Sequence, residues 1–190
     1  MNLPNKLTTA RLVLTAVFVV CFYLPLPEHL SLAALVFGLA SITDYFDGKI
    51  ARRRGIVTNF GKLFDPLADK VLIAAAFIIL VQTGDLPAWV AIVVLAREFC
   101  VTGIRLIAAG QGAILAAEKL GKHKMAWQIV TVSWFLLKRA SAESVFAFTR
   151  PLFTAAPAWV PDTLIYFATF LTLASGFSYF WKNKHLFNDA

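Results

Sequence analysis

Long apolar blocks alternate with short polar segments along the chain, and six of these blocks approach the length of a membrane-spanning helix. A helix needs roughly 20 mostly apolar residues to cross the hydrocarbon core of a bilayer. The pattern therefore predicts six spanning helices, over residues 7–25, 30–51, 65–83, 87–109, 122–139 and 159–181. Pro66 and Pro87 suit the first turns of the third and fourth helices, where the missing N–H of proline is tolerated.

Nothing in this pattern marks a second domain. We find no repeat and no low-complexity tract, so residues 1–190 are predicted to form a single all-α, integral membrane domain. The segment 138–161 is the least regular part of the chain and suits a short interfacial helix near residues 144–153. The first apolar block is preceded by Lys6 and Arg11, as in a signal peptide, but no small-x-small cleavage site follows. We therefore expect a retained first helix.

The composition agrees with a membrane protein. Hydrophobic residues make up 59% of the chain and the mean hydropathy is +0.71, whereas a soluble domain is typically about 45–50% apolar. A charged fraction of 15% is too small to cover the surface of a water-soluble globule. The net charge of +7 is compatible with nucleic acid binding in isolation. In a membrane chain it indicates loops that face the cytoplasm and anionic lipid, and no nucleic acid partner is expected.

The distribution of lysine and arginine predicts the orientation. With six spans, both termini and the loops between helices 2 and 3 and between helices 4 and 5 lie on one side. Fourteen basic residues belong to that side and three, Lys138, Arg139 and Arg150, to the other, with Arg97 left out as a mid-helix residue. Positive charge accumulates on the cytoplasmic side of membrane proteins. Both termini are therefore predicted to be cytoplasmic.

Four aspartates are concentrated in the second and third predicted helices. Asp44 and Asp47 are three residues apart, and Asp65 and Asp69 are four apart. Residues at either spacing share one face of an α-helix. A short loop makes two successive helices antiparallel neighbours, so we expect the four carboxylates to converge at the cytoplasmic end of this pair.

Carboxylates at membrane depth require a counter-charge, because ionised groups there are costly unless they are paired or bound to metal. Oxygen ligands suit Mg²⁺ or Mn²⁺, and a pair of such ions suits displacement at phosphorus. Gly48 and Ala51 continue the face of Asp44 and Asp47 and would let a nucleotide approach the helix backbone. The alternative is that the acids are helix-end charges paired with Arg52, Arg53 and Lys70. The residues alone therefore indicate a membrane phosphotransferase or a cation site.

The window from Asp44 to Asp69 resembles the signature of the CDP-alcohol phosphotransferases, D-x-x-D-G-x-x-A-R followed after eight residues by G-x-x-x-D-x-x-x-D. Every fixed position of the signature is met, by Asp44, Asp47, Gly48, Ala51, Arg52, Gly61, Asp65 and Asp69. Residues 5–11 are similar to the family's first-helix segment near the nucleotide. Residues 96–105, together with Gly121, Lys122 and Lys124, look like the bacterial phosphatidylglycerophosphate synthase branch. The segment 138–161 matches no feature of the family that we can name.

This resemblance implies six transmembrane helices, usually in a homodimer, with a polar cavity open to the cytoplasm of a bacterial inner membrane. It implies that two Mg²⁺ or Mn²⁺ ions are held by Asp44, Asp47, Asp65 and Asp69. Asp69 would also be the base that accepts the proton of the acceptor hydroxyl. The pocket for the CDP-lipid would be lined by Thr8, Arg11, Gly48, Ala51, Arg52 and Gly61. For Arg11, an anchor to anionic headgroups is the alternative.

The branch that the chain resembles implies transfer of the phosphatidyl group of CDP-diacylglycerol to sn-glycerol 3-phosphate, which gives phosphatidylglycerophosphate and CMP. Arg105, Lys122 and Lys124 form a cation cluster that favours an acceptor bearing a phosphate. The alternative is that these three are anchors to anionic headgroups. Other acceptors with the same chemistry are phosphatidylglycerol, inositol phosphate and serine. A cation transporter is the rival from another class, although it would place its acids along a pathway across the bilayer.

Overall fold

The computed structural model describes residues 3–54, 59–111, 115 and 119–184, with side chains at all of these positions except 3–8, 44–54, 59–69 and 119. This part of the chain is all-α, as predicted. Its helices are α1 (Leu3–Tyr23), α2 (His29–Arg54), α3 (Asn59–Gln82), α4 (Ala88–Gly110), α5 (Lys119–Ala140), α6 (Arg150–Ala155) and α7 (Trp159–Lys182). A 3₁₀ turn, Ala147–Thr149, leads into α6.

The six long helices coincide with the six apolar blocks. They have 21 to 26 residues, which at about 1.5 Å per residue is roughly 30 Å or more and matches the hydrocarbon core. By length and apolar composition together, one helix of the described part, α7, qualifies as a span. The apolar stretches of α1, α2 and α3 within that part are shorter, over Thr9–Tyr23, His29–Thr43 and Lys70–Gln82. The number of spans stays a prediction.

Three predicted helix starts are late by three or more residues: α1 begins at Leu3, α3 at Asn59 and α5 at Lys119, against predicted starts at 7, 65 and 122. The third helix begins at Asn59 and not near Pro66, so the prediction that Pro66 lies in a first turn was wrong. The apolar count detects the part of a helix that suits the bilayer, and α3 begins before that part, with a segment in which Asn59, Gly61, Lys62 and Asp65 interrupt the apolar residues. Pro87 is the N-cap of α4, with an extended backbone at φ −62° and ψ 136°, and the helix starts at Ala88.

The helices pack around a main apolar core to which α1, α2, α3, α4 and α5 contribute and which Ile165 of α7 completes, and a smaller cluster joins Val101 and Ile104 of α4 to Tyr179 of α7. The largest fully buried side chains of the main core include Phe18, Phe37, Phe77 and Leu80. The rings of Phe18 and Phe37 join α1 to α2, with centroids 5.6 Å apart. Such packing of large side chains fixes the relative positions of these helices.

Polar side chains join α5 to α7 inside the bundle. The Gln128 amide donates to the Thr172 hydroxyl at 3.0 Å, and the Thr131 hydroxyl donates to the Leu164 carbonyl at 3.2 Å. All of these side chains except that of Leu164 are almost fully buried. Hydrogen bonds of this kind satisfy polar groups in apolar surroundings and hold neighbouring helices in register.

At the end of the bundle opposite to the aspartates, the irregular segment after α5 is attached to the start of α2 by two glutamates. Glu143 accepts hydrogen bonds from the backbone N–H groups of Leu30 and Ser31, at 3.0 and 2.7 Å, in the first turn of α2. Glu28 accepts the N–H groups of Ser144 and Val145, at 3.0 and 3.2 Å, and the Ser144 hydroxyl. We call this arrangement the glutamate clasp.

Candidate active site

The signature aspartates lie at matching depths on their two helices. Asp44 is ten residues before the end of α2 at Arg54, and Asp69 is ten residues after the start of α3 at Asn59. With a rise of about 1.5 Å per residue, both lie roughly 15 Å along the helix from the α2–α3 connection. Asp47 and Asp65 lie nearer to it, one turn along from their partners. The backbone thus gives each pair the helical spacing that the sequence predicts.

The predicted ligands of metal and nucleotide fall largely outside the described side chains. These residues are Thr8, Asp44, Asp47, Gly48, Ala51, Arg52, Gly61, Asp65 and Asp69. Among the side chains that are described, no group of three or more His, Cys, Asp or Glu is placed to hold a metal ion. The donor set proposed for the metal, four carboxylates on two helices, has the chemistry that Mg²⁺ and Mn²⁺ prefer. The assignment of these residues stays a prediction.

Arg11 is the predicted nucleotide contact whose side chain is described. It lies on α1 and is only 6% exposed, and its carbonyl oxygen accepts the Thr15 hydroxyl at 2.9 Å. An anchor to lipid headgroups would have to reach the surface of the bundle. The burial of Arg11 therefore argues against the anchor and agrees with a role inside the protein.

A cavity of about 510 Å³, lined by apolar residues and by several charged ones, opens between α3, α4, α5 and α7. It brings together the three cations predicted to bind the acceptor: Arg105 from α4, and Lys122 and Lys124 from the first turns of α5. Lys70 and Arg97 also line it, and Glu98 is the acid among the described lining residues. The excess of positive charge makes the cavity suitable for an anion.

The cavity begins directly after the stretch of α3 that carries two of the predicted metal ligands, Asp65 and Asp69. Lys70 follows Asp69 directly in α3, and Ile73, one turn beyond Asp69 on the same helix face, also lines the cavity. The face of α3 that carries Asp65 and Asp69 therefore continues into the cavity wall.

Lys124 and Arg97 are held together by Glu98. The Lys124 ammonium makes an ion pair and hydrogen bond with the Glu98 carboxylate, and Nη1 of Arg97 donates to Oε1 of Glu98 at 3.2 Å. The side chains of Lys124, Arg97 and Glu98 are 6%, 12% and 13% exposed. Such burial argues against Lys124 as a headgroup anchor. Its pairing leaves Arg105 and Lys122, both more exposed, as the cations most accessible to a ligand.

Arg105 is oriented by an aromatic residue of α7. Its Nε donates to the Tyr179 hydroxyl at 3.1 Å, and its guanidinium carbon lies 5.5 Å from the centre of the Tyr179 ring. Both contacts attract the positively charged guanidinium towards Tyr179. They restrict a long side chain that would otherwise have many rotamers.

Six polar residues that line the cavity had no predicted ligand-binding role from the sequence: Lys70, Arg97, Glu98, Thr102, Gln128 and Tyr179. A signal was available for two of them, because charged residues within an apolar span are by default functional candidates. Arg97 and Glu98 form such a pair in the fourth block, and Arg97 was set aside in the charge count. No comparable signal marks Gln128 or Tyr179, since nothing in the sequence shows which of many polar and aromatic residues line the cavity.

The sequence profile that describes the CDP-alcohol phosphatidyltransferases matches residues 1–173. The chain belongs to this family. Two relatives bear the name CDP-diacylglycerol–glycerol-3-phosphate 3-phosphatidyltransferase. One, from Bacillus subtilis, is 43% identical over 96% of this chain and 95% of its own length. The other, from Rickettsia bellii, is 37% identical over 98% of this chain and 97% of its own length. A probable phosphatidylglycerophosphate synthase of Mycobacterium tuberculosis is 42% identical over 72% of this chain and 66% of its own.

Membership of the CDP-alcohol phosphatidyltransferase family makes the chain a transferase of phospholipid biosynthesis. The family is membrane-associated and generally uses divalent metal ions. Both statements agree with the apolar helices and with the two pairs of aspartates. The identity of the acceptor, the metal ligands and the topology are matters of proposal.

Proposed function

We propose that this chain transfers the phosphatidyl group of CDP-diacylglycerol to sn-glycerol 3-phosphate, giving phosphatidylglycerophosphate and CMP. The observation that carries the choice of acceptor is the cavity between α3, α4, α5 and α7, whose cations suit an acceptor that bears a phosphate. The names of the Bacillus and Rickettsia relatives support the same donor and acceptor. Serine is less suitable as the acceptor, because it has no phosphate for these cations to bind.

In the proposed reaction, the carboxylate of Asp69 takes the proton from a hydroxyl of glycerol 3-phosphate. The hydroxyl oxygen forms a new bond to the lipid-side phosphorus of the diphosphate. The bond from that phosphorus to the bridging oxygen breaks, and CMP leaves with that oxygen. Proximity to the cavity suits Asp69 to this role, because the helix face that it shares with Ile73 runs along the cavity wall.

The donor, CDP-diacylglycerol, is proposed to bind on the side of the aspartates that faces away from the acceptor cavity. Two divalent ions, Mg²⁺ or Mn²⁺, would be held by Asp44, Asp47, Asp65 and Asp69, and when bound they neutralise charge on the diphosphate. The cytidine diphosphate would lie against Thr8, Arg11, Gly48, Ala51, Arg52 and Gly61. In this arrangement the small residues on α2 leave room for the nucleotide, and Arg11 and Arg52 supply positive charge.

We further propose that α1, α2, α3, α4, α5 and α7 span a bacterial inner membrane, with both termini and the active site facing the cytoplasm and the chain in a homodimer. The asymmetry of the basic residues supports this orientation. The acyl chains of the donor would then stay in the bilayer and enter between helices.

A panel of acceptors tests the proposal. Purified protein with CDP-diacylglycerol and Mg²⁺ is offered glycerol 3-phosphate, inositol phosphate, phosphatidylglycerol or serine, and CMP release is measured. We expect glycerol 3-phosphate to support turnover well above the others. A clear preference for another acceptor would leave the transferase chemistry in place and overturn the assignment of the acceptor.

A further inference from the structure

α7 contributes a glycine and a tyrosine to the packing around the two arginines of α4. Gly176 and Tyr179 are three residues apart and share one face of α7. Arg97 and Arg105 are eight residues apart, about two turns of α4, and both line the cavity. Gly176 meets Arg97, and Tyr179 meets Arg105. Neither α7 residue was singled out by the sequence, and neither is a metal or nucleotide ligand in the proposed mechanism.

The contact at Gly176 leaves no room for a side chain. A Cβ placed on Gly176 would lie 2.9 Å from Cγ of Arg97, 3.7 Å from its Nε and 3.9 Å from its Cδ. Real Cβ atoms essentially never approach another heavy atom closer than 3.0 Å. Cγ lies near the root of the arginine side chain, so rotation of the distal bonds cannot relieve this contact. Any residue larger than glycine therefore has to move the whole Arg97 side chain or separate α4 from α7.

Few hydrogen bonds would return the Arg97 side chain to its position if a side chain at residue 176 displaced it. Its Nη1 donates to Glu98, while its buried Nε–H has no hydrogen-bond partner within the part of the chain that the structure describes. Because Glu98 also binds Lys124, a shift of Arg97 would be passed on to that lysine. One α7 glycine thus affects two of the cations in the cavity wall.

Tyr179 differs from Gly176, because its contact with Arg105 requires a side chain whereas the contact of Gly176 with Arg97 excludes one. The buried hydroxyl accepts from Nε of Arg105, and the ring lies against the guanidinium. Phenylalanine would keep the ring and lose the hydrogen bond. The guanidinium would then be free to rotate away from the cavity.

We propose that Gly176 and Tyr179 are positioning residues for acceptor binding, acting through Arg97 and Arg105 respectively. This inference rests on the proposed function, because it takes the cavity as the site of the acceptor phosphate. It predicts that both positions set the affinity for glycerol 3-phosphate, although neither has to touch it.

The test compares Gly176→Ala and Tyr179→Phe with wild type in CMP-release assays in which each substrate is varied in turn. We expect Gly176→Ala to raise the KM for glycerol 3-phosphate at least tenfold and Tyr179→Phe to raise it several-fold. The KM for CDP-diacylglycerol should stay within about twofold in both. Gly38→Ala is the matched control, because a Cβ at that helical glycine meets nothing within 4 Å. It should behave as wild type.

A double variant distinguishes positioning from a general packing defect. If Gly176 acts through Arg97, Gly176→Ala added to Arg97→Ala should cause no further loss, because the clashing atoms are gone. The double variant should also fold where Gly176→Ala alone does not. Additive losses, or an unchanged KM for glycerol 3-phosphate in folded Gly176→Ala and Tyr179→Phe, would overturn the inference. Failure of wild type to use glycerol 3-phosphate would instead overturn the proposed function.

Discussion

The guanidinium of Arg105 enters the cavity wall from α4 and is held by Tyr179. A planar guanidinium can bind a phosphate through two parallel hydrogen bonds, which an ammonium group cannot reproduce. We expect Arg105→Ala to raise the KM for glycerol 3-phosphate roughly tenfold to a hundredfold, the range for loss of a hydrogen bond to a charged group. The KM for CDP-diacylglycerol should change little, and Arg105→Lys should recover only part of the loss.

The alternative for Arg105 is an anchor to anionic headgroups, and the same measurement distinguishes it. An anchor would affect membrane insertion, or both KM values together. Lys138 is a basic residue in the last turn of α5, at the opposite end of that helix from Lys122 and Lys124, and Lys138→Ala serves as the control for a general loss of positive charge. An unchanged KM for glycerol 3-phosphate in folded Arg105→Ala protein would reopen the choice of acceptor.

Asp69 carries the proton transfer in the proposed reaction. Asparagine keeps the size of the side chain and one oxygen ligand, but it cannot serve as the base. We expect Asp69→Asn to lower kcat by roughly 10²–10⁴-fold, as for the loss of a general base, while binding of CDP-diacylglycerol is affected less. Turnover within a few-fold of wild type would show that another group accepts the proton.

Among the elements of the fold, the irregular segment after α5 depends on the glutamate clasp for its attachment to α2. The Ser144 hydroxyl, with the backbone N–H groups of Ser144 and Val145, holds the pKa of Glu28 below its ordinary value of 4.5. A lowered pKa in the folded state means that the charged carboxylate stabilises the protein above pH 4.5. This contribution is lost as the pH falls through the lowered value.

We therefore expect Glu28→Gln to lower the melting temperature at pH 7, measured in detergent, and the difference from wild type to shrink below about pH 4. Asp162→Asn, at an exposed acid in the first turn of α7, is the control for loss of one negative charge. A difference that grew as the pH fell would contradict the sign of the pKa shift.

The sequence predicted these elements unevenly, for physical reasons. Apolar blocks locate the six long helices because a bilayer imposes a minimum length on a spanning segment. The start of α3 was misplaced because Asn59, Gly61, Lys62 and Asp65 interrupt the apolar residues before Pro66 and weaken the apolar signal. A short helix near residues 144–153 was predicted, and the 3₁₀ turn and α6 lie over residues 147–155. The attachment of this segment to α2 could not be predicted, since it depends on contacts of Glu28 and Glu143 with partners more than 100 residues away.

The candidate site also combines features that are local in the sequence with features that depend on long-range contacts. The spacing of the four aspartates is local and readable from the sequence, as is the cluster of Arg105, Lys122 and Lys124. The contribution of α7 is a long-range property, because Tyr179 meets Arg105 across 74 positions of the chain. The sequence of α7 contains no pattern that distinguishes Gly176, which packs against Arg97, from a glycine with open space around it, such as Gly38.

For the molecule as a whole, the charge asymmetry predicts which ends of the bundle meet the cytoplasm. Gln111, at the end of α4, and Ala155, at the end of α6, are both exposed and lie on opposite sides in the six-span arrangement. In a background lacking Cys21 and Cys100, single cysteines at these two positions should react with an impermeant maleimide from opposite faces of oriented vesicles. Labelling of both from one face would refute the six-span topology.

Transfer of the phosphatidyl group from CDP-diacylglycerol to glycerol 3-phosphate can be followed with a radioactive label on the acceptor. Purified protein is given CDP-diacylglycerol, Mg²⁺ and radiolabelled glycerol 3-phosphate, and label in the lipid extract is compared with CMP released. We predict one labelled phosphatidylglycerophosphate for each CMP, with both products abolished by excess chelator and restored by Mg²⁺ or Mn²⁺. Release of CMP without label in the lipid, or full activity in excess chelator, would contradict the account.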